Sequence, residues 1–143
     1  MSLEANKALV RRFVEEVQSQ HKLTVVDEIM DPHMIDHAAE ASQNSAETFK
    51  KFFSGFIAAF PDVKAVIHNQ VAEGDKVVTH KTFHGTHKGE FMGIPPTGKK
   101  VAIEVIDIFR IAGGKFAEHW AVADMMSVMQ QLGVIPPMGQ PKK

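Results

Sequence analysis

Apolar residues fall at Leu9, Val10, Phe13, Val14 and Val17, with Arg11, Arg12, Glu15 and Glu16 between them. This one-sided spacing predicts an amphipathic helix. Thr24 followed by Asp27 has the form of an N-terminal cap. Val25, Val26, Ile29 and Met30 then supply a short second helix that Asp31-Pro32 stops. For a third helix Asn44 can cap and Glu47 stands three residues on. Phe49, Phe52, Phe53, Phe56, Ile57 and Phe60 follow at helical spacing until Pro61. An aromatic stripe of this kind reads first as core packing.

After Pro61 the period changes to that of strands. Residues 63–72 and 77–87 are rich in Val, Ile, Thr and Phe, and they flank Glu73-Gly74-Asp75-Lys76, where Gly-Asp forms a tight hairpin turn. Residues 101–112 and 116–124 flank Gly113-Gly114 in the same way, giving four antiparallel strands in all. The stretch Gly85 to Lys100, with Gly89, Gly93, Pro95-Pro96 and Gly98, reads as an ordered loop of the kind that carries function. Met125 to Leu132 forms a short Met-rich helix closed by Gly133. The expected fold class is α+β: a cone-shaped barrel with three N-terminal helices packed on a curved antiparallel sheet, and a short C-terminal helix. A single domain is expected to span residues 1–143.

Counting outward from Gly113-Gly114 with unbroken pairing sets Phe109 opposite Glu118, Asp107 opposite Trp120, Val105 opposite Val122 and Ile103 opposite Asp124. This face holds the bulkiest side chain and two carboxylates, so it is expected to line a pocket; a one-residue slip would invert the assignment. The same count at Gly74-Asp75 groups Ile67, Asn69, Val71, Val78, His80, Thr82 and His84 on one face, with Val77, Thr79, Lys81 and Phe83 on the other. The first is the expected cavity face because it lacks the lysine.

Composition narrows the chemistry. The formal net charge is -1, and the basic pairs Lys50-Lys51 and Lys99-Lys100 are too short to recruit nucleic acid. Cysteine is absent, which removes disulfides and thiol nucleophiles and fits a reducing cytoplasm. No apolar run is long enough to span a membrane, so a cytoplasmic protein is expected. With eight histidines and no tyrosine, imidazoles and carboxylates are the acid/base groups at hand.

The segments Gly85-Thr86-His87-Lys88-Gly89-Glu90-Phe91-Met92-Gly93-Ile94-Pro95-Pro96-Thr97-Gly98, Ile106-Asp107-Ile108-Phe109-Arg110, Glu118-His119-Trp120 with Asp124, and Gln131-Leu132-Gly133 resemble the SnoaL-like (ester cyclase) family. The likeness runs in order along nearly the whole chain. It implies an α+β barrel of the nuclear-transport-factor-2-like superfamily, oligomeric through its sheet, with a homodimer or higher homo-oligomer expected. It also implies ring closure by an intramolecular aldol reaction on a small apolar carbonyl compound, with no metal or organic cofactor. In that family an aspartate at the end of the last strand is the general acid/base, and Asp124 matches its position. The position after the second helix, here within Asp36-His37, contributes to the pocket. The chain departs from the cyclases on the third strand, where it has Asp107 and Phe109 in place of a supporting histidine.

These readings assign Asp124 as the catalytic acid/base, its pKa raised by apolar neighbours. Its alternative role is to cap the helix that begins at Met125. His37, His80, His84, Asp107 and Trp120 are assigned to substrate binding, with His80 and His84 polarising a carbonyl oxygen or serving as ordinary strand histidines. A zinc site of His80, His84 and His87 is disfavoured because i and i+4 on a strand lie about 13 Å apart. The function expected is cyclase chemistry or a related isomerisation or dehydration. A binding protein without chemistry is the alternative, because one fold serves many functions.

Overall fold

The computed structural model describes residues 2–38 and 45–136. Helix α1 (Leu3–Arg12) begins where the Ser2 side chain accepts from the Ala5 N–H, and it runs on as a π-helical segment, Phe13–Ser19. A 3-10 turn (Leu23–Val25) leads into a single turn of helix, α2 (Val26–Ile29), with no side-chain cap from Thr24. Helix α3 (Ala46–Ala59) is capped by Ser45, whose hydroxyl accepts from the Thr48 N–H at 3.0 Å. The expected cap, Asn44, lies outside the described residues.

Among the described residues the sheet has five strands rather than four, in the order β1-β5-β4-β3-β2. They are β1 (Met30–Asp36), β2 (Lys64–Glu73), β3 (Lys76–Thr86), β4 (Lys100–Ala112) and β5 (Lys115–Ala123). Asp31-Pro32 does not simply end a helix; it lies within β1, which runs parallel to β5 at the edge of the sheet. Proline lacks the N–H that an inner strand needs, and an edge strand tolerates it. Helix α4 (Met125–Gln131) follows β5, and among the described residues no helix is long and apolar enough to cross a membrane.

Both hairpin turns form as expected, with Glu73 paired to Lys76 and Ala112 to Lys115. Gly113 and Gly114 have φ of 58° and 76°, the left-handed pair that glycine supplies without a Cβ clash. The ladder beyond Gly113-Gly114 is broken, however. Ile111 pairs with Phe116 but Arg110 pairs with Glu118, so Ala117 is an extra residue, a β-bulge. From there Phe109 faces His119, Asp107 faces Ala121 and Val105 faces Ala123.

The expected β4 face is therefore the inner one, while the β5 face is inverted. His119 turns inward and Trp120 outward. In β3 the expected face is also reversed, since Val77, Thr79, Lys81 and Phe83 are the buried residues.

The helices cover this inner face. Phe13 is fully buried, with its ring 5.5 Å from Phe49, 5.2 Å from Phe109 and 5.5 Å from Phe116. Removing one such side chain from water stabilises the fold by about 1.5–3 kcal/mol. This joint between the π-helical segment, α3 and the sheet fixes one end of the space between them.

Candidate active site

Between α3 and the inner sheet face lies a cavity of about 300 Å³. Its apolar wall includes Phe49, Phe52, Phe53 and Phe56 from α3, Phe83 from β3 and Phe91 from the loop 87–99 between β3 and β4. The α3 stripe thus does two jobs. Phe49 and Phe53 are core residues, while Phe52 is exposed at the cavity's margin. The loop is held by Gly89, whose N–H donates to the Ala59 carbonyl at 3.1 Å; a Cβ there would meet the Ala58 oxygen at 2.3 Å. That close approach needs glycine.

The polar part of the wall is a cluster of Gln18, Asp36, Lys81, Asp107 and His119. Lys81, only 1% exposed, donates from Nζ to Asp107 Oδ2 at 2.7 Å and to Gln18 Oε1 at 2.9 Å. His119 Nδ1 hydrogen-bonds Asp36 Oδ1 at 3.0 Å, and its Nε2 stands 3.6 Å from Asp107 Oδ2, an ion-pair distance too long for a good hydrogen bond. Phe109 stacks on the imidazole at 4.4 Å and fixes its plane. The other oxygen of Asp107, Oδ1, is buried with no hydrogen-bond partner.

Burial alone would raise the Asp107 pKa, but the Lys81 charge and the His119 contact outweigh it and hold the carboxyl below its ordinary value. Burial likewise works against a charged His119, yet the nearby carboxylates of Asp107 and Asp36 prevail and raise the imidazole's pKa. Asp36 is lowered because His119 outweighs its own desolvation. With His119 protonated, the cluster is two carboxylates facing an ammonium and an imidazolium, without net charge. Each buried ion has a counter-ion, the condition under which burial is tolerated.

Of the residues assigned from sequence, Asp107 lies in the cavity wall. Asp124 does not: it is exposed and caps α4, its Oδ1 accepting from the Ser127 N–H at 3.0 Å. Trp120 and His37 are stacked on each other at 4.8 Å away from the cavity lining, where His37 Nε2 bonds Glu118 Oε2 at 2.6 Å and the Lys76 ammonium lies over the indole. The Ala117 bulge accounts for Trp120, and strand alternation in β1 turns Asp36 inward and His37 outward. His80 and His84 lie on the outer side of β3; His80 bonds Glu104 at 2.6 Å, and His84 is exposed. Their placement follows from Lys81, which is buried because Asp107 neutralises it rather than exposed because it is charged.

His119, Lys81 and Gln18 were missed. The available signal was the run Val77, Thr79, Lys81, Phe83, whose apolar ends mark a buried face. His87, the third member of the disfavoured zinc set, is buried in the loop with Nδ1 against Thr97, and among the described residues no group of three His, Asp or Glu is arranged to hold a metal ion.

A curved sheet backed by helices around an apolar cavity, with an acid/base cluster in its wall, defines a pocket protein of the nuclear-transport-factor-2-like fold. The model of the SnoaL-like polyketide cyclases matches residues 8–132, and the chain belongs to that family. It is similar to aklanonic acid methyl ester cyclase DnrD of Streptomyces peucetius, with 28% identity over 87% of this chain and 88% of that protein. Nogalonic acid methyl ester cyclase of Streptomyces nogalater is 26% identical over 76% of this chain and 83% of that one. Among solved structures, AclR from Streptomyces galilaeus superposes with a TM-score of 0.85 at 31% identity, over 99% of this chain and 87% of AclR. TsrD from Streptomyces laurentii gives 0.87 at 26% identity, over 94% and 99%.

Proposed function

We propose that this protein carries out acid/base catalysis, independent of any cofactor, on a small apolar carbonyl compound. The reaction is polyketide ring closure by an intramolecular aldol step, or a related isomerisation or dehydration. Asp107 and His119 exchange the protons. The observation that carries the reading is Asp107, a carboxylate residue of the cavity wall whose Oδ1 is buried with no hydrogen-bond partner. Leaving such an acceptor unsatisfied costs about 1–3 kcal/mol, which a ligand's acidic hydrogen would recover.

In this mechanism Asp107 takes a proton from the carbon beside a carbonyl. The resulting enolate carbon attacks a second carbonyl within the same molecule. The imidazolium of His119, held through Nδ1 by Asp36, gives its Nε2 proton to the new alkoxide. The Asp107 proton then returns to His119 Nε2 across the 3.6 Å between them, so both residues are reset and the product is an isomer of the substrate.

The aromatic wall supports a ligand with flat, apolar faces. The two methyl ester cyclases suggest aklanonic or nogalonic acid methyl ester as first compounds to try. The test is uptake of solvent deuterium into these esters, followed by mass spectrometry. The expected outcome is uptake with the native protein and a loss of about 10²–10⁴-fold in Asp107→Asn. Binding of an ester without any uptake would make this a ligand-binding protein instead.

A further inference from the structure

We propose that Lys81, positioned by Gln18, is the receptor for an anionic ligand oxygen, so that the cavity binds an enolate or phenolate in preference to its neutral form. The inference rests on the reading of Asp107 and His119 as the proton-transferring pair and adds a third group to it. An ammonium carries three N–H donors. Two of those on Lys81 have protein acceptors, Asp107 Oδ2 and Gln18 Oε1. The other surroundings of Nζ are aromatic, with the Phe13 ring at 5.6 Å and the Phe83 ring at 5.4 Å. A ring face is a weaker partner for a cation than an anionic oxygen.

Lys81 lines the cavity and is almost completely buried, so a ligand oxygen reaching it meets the charge with little water between them. Electrostatic attraction is strongest in such a site. The other charged groups in the wall are Asp36, Asp107 and His119, and an oxygen at Lys81 becomes anionic as Asp107 takes up the proton. The bond to Asp107 alone would draw Nζ onto the carboxylate. Gln18 pulls on it from the π-helical segment Phe13–Ser19, a helical form that is common at functional sites. Gln18 is buried and its Oε1 accepts from Lys81, which makes it a positioning residue.

The experiment uses 4-nitrophenol, whose absorption band reports whether the bound molecule is phenol or phenolate. The bound phenol is expected to ionise at lower pH than the free compound. In Lys81→Met its ionisation is expected to move up by about one pH unit or more, a tenfold change in the phenolate to phenol ratio. Lys81→Arg should restore part of the shift. Gln18→Met changes no charge and should give an intermediate value, which keeps the test open if Lys81→Met fails to fold. A nitrophenol that does not bind, binds as the neutral phenol, or titrates alike in the native protein and these variants overturns the proposal. Deuterium uptake is read separately: uptake retained beside a neutral bound phenol removes Lys81 alone, whereas bound phenolate without uptake removes the Asp107 and His119 chemistry alone.

Discussion

Lys81 and Asp107 show why charge is a poor guide to exposure at the level of single residues. Each would be costly to bury alone, and together they sit 2.7 Å apart inside the fold. Lys81→Met takes from the Asp107 carboxylate the nearer of its two cations and is expected to cost about 3–5 kcal/mol in urea unfolding. Lys81→Met combined with Asp107→Leu should recover most of that loss, because the under-compensated charge is gone. A double variant no more stable than the single one would contradict the pairing. Asp124 gives the opposite expectation. As an exposed helix cap it contributes about 1 kcal/mol, so Asp124→Ala should lower stability by that amount, measured in the same way.

At the level of elements, much was legible in the sequence because the spacing of apolar residues directly records which face is buried. That holds for the first helix, for the Phe stripe of α3 and for both hairpin turns. Two features escaped. β1 carries Asp31 and Pro32, which read as a stop signal, and its partner strand β5 is distant in sequence, so no hairpin announces it. Ala117 is a single inserted residue that exchanges the two faces of β5, bringing in His119 and turning out Trp120. Nothing in the residues Lys115 to Trp120 marks where the insertion falls. Asp36 reaches the site only because β1 pairs with β5 and sets it beside His119. The loop 87–99 makes a further expectation at this scale: Gly89→Ala forces a methyl against the Ala58 carbonyl and should cost about 1–3 kcal/mol, read from urea unfolding. A variant as stable as the native protein would contradict the close approach.

For the molecule as a whole, the site couples folding to pH. His119 has a raised pKa, so its contribution is complete below the ordinary value near 6.5 and is lost as pH rises through the folded value. Asp36 and Asp107 have lowered pKa values, so theirs is present above about 3.9 and is lost as pH falls through the folded values. The cluster therefore stabilises most between about pH 4 and 6.5. The urea midpoint should fall from pH 6 to 9, and that fall should be smaller in His119→Gln; equal falls in the two proteins would contradict the coupling.

The outer sheet face exposes Val66, Val71, Ile106 and Val122, the last two paired across β4 and β5. Association of two copies through this face would cover them. Sedimentation should then show a dimer that Ile106→Lys with Val122→Lys dissociates, and a native monomer would refute it. The account stands or falls, finally, on which carboxylate does the chemistry. Turnover of aklanonic acid methyl ester by Asp107→Asn and Asp124→Asn, compared with the native protein, addresses this most directly. The account predicts near-complete loss in Asp107→Asn with Asp124→Asn close to native, whereas loss confined to Asp124→Asn would contradict it.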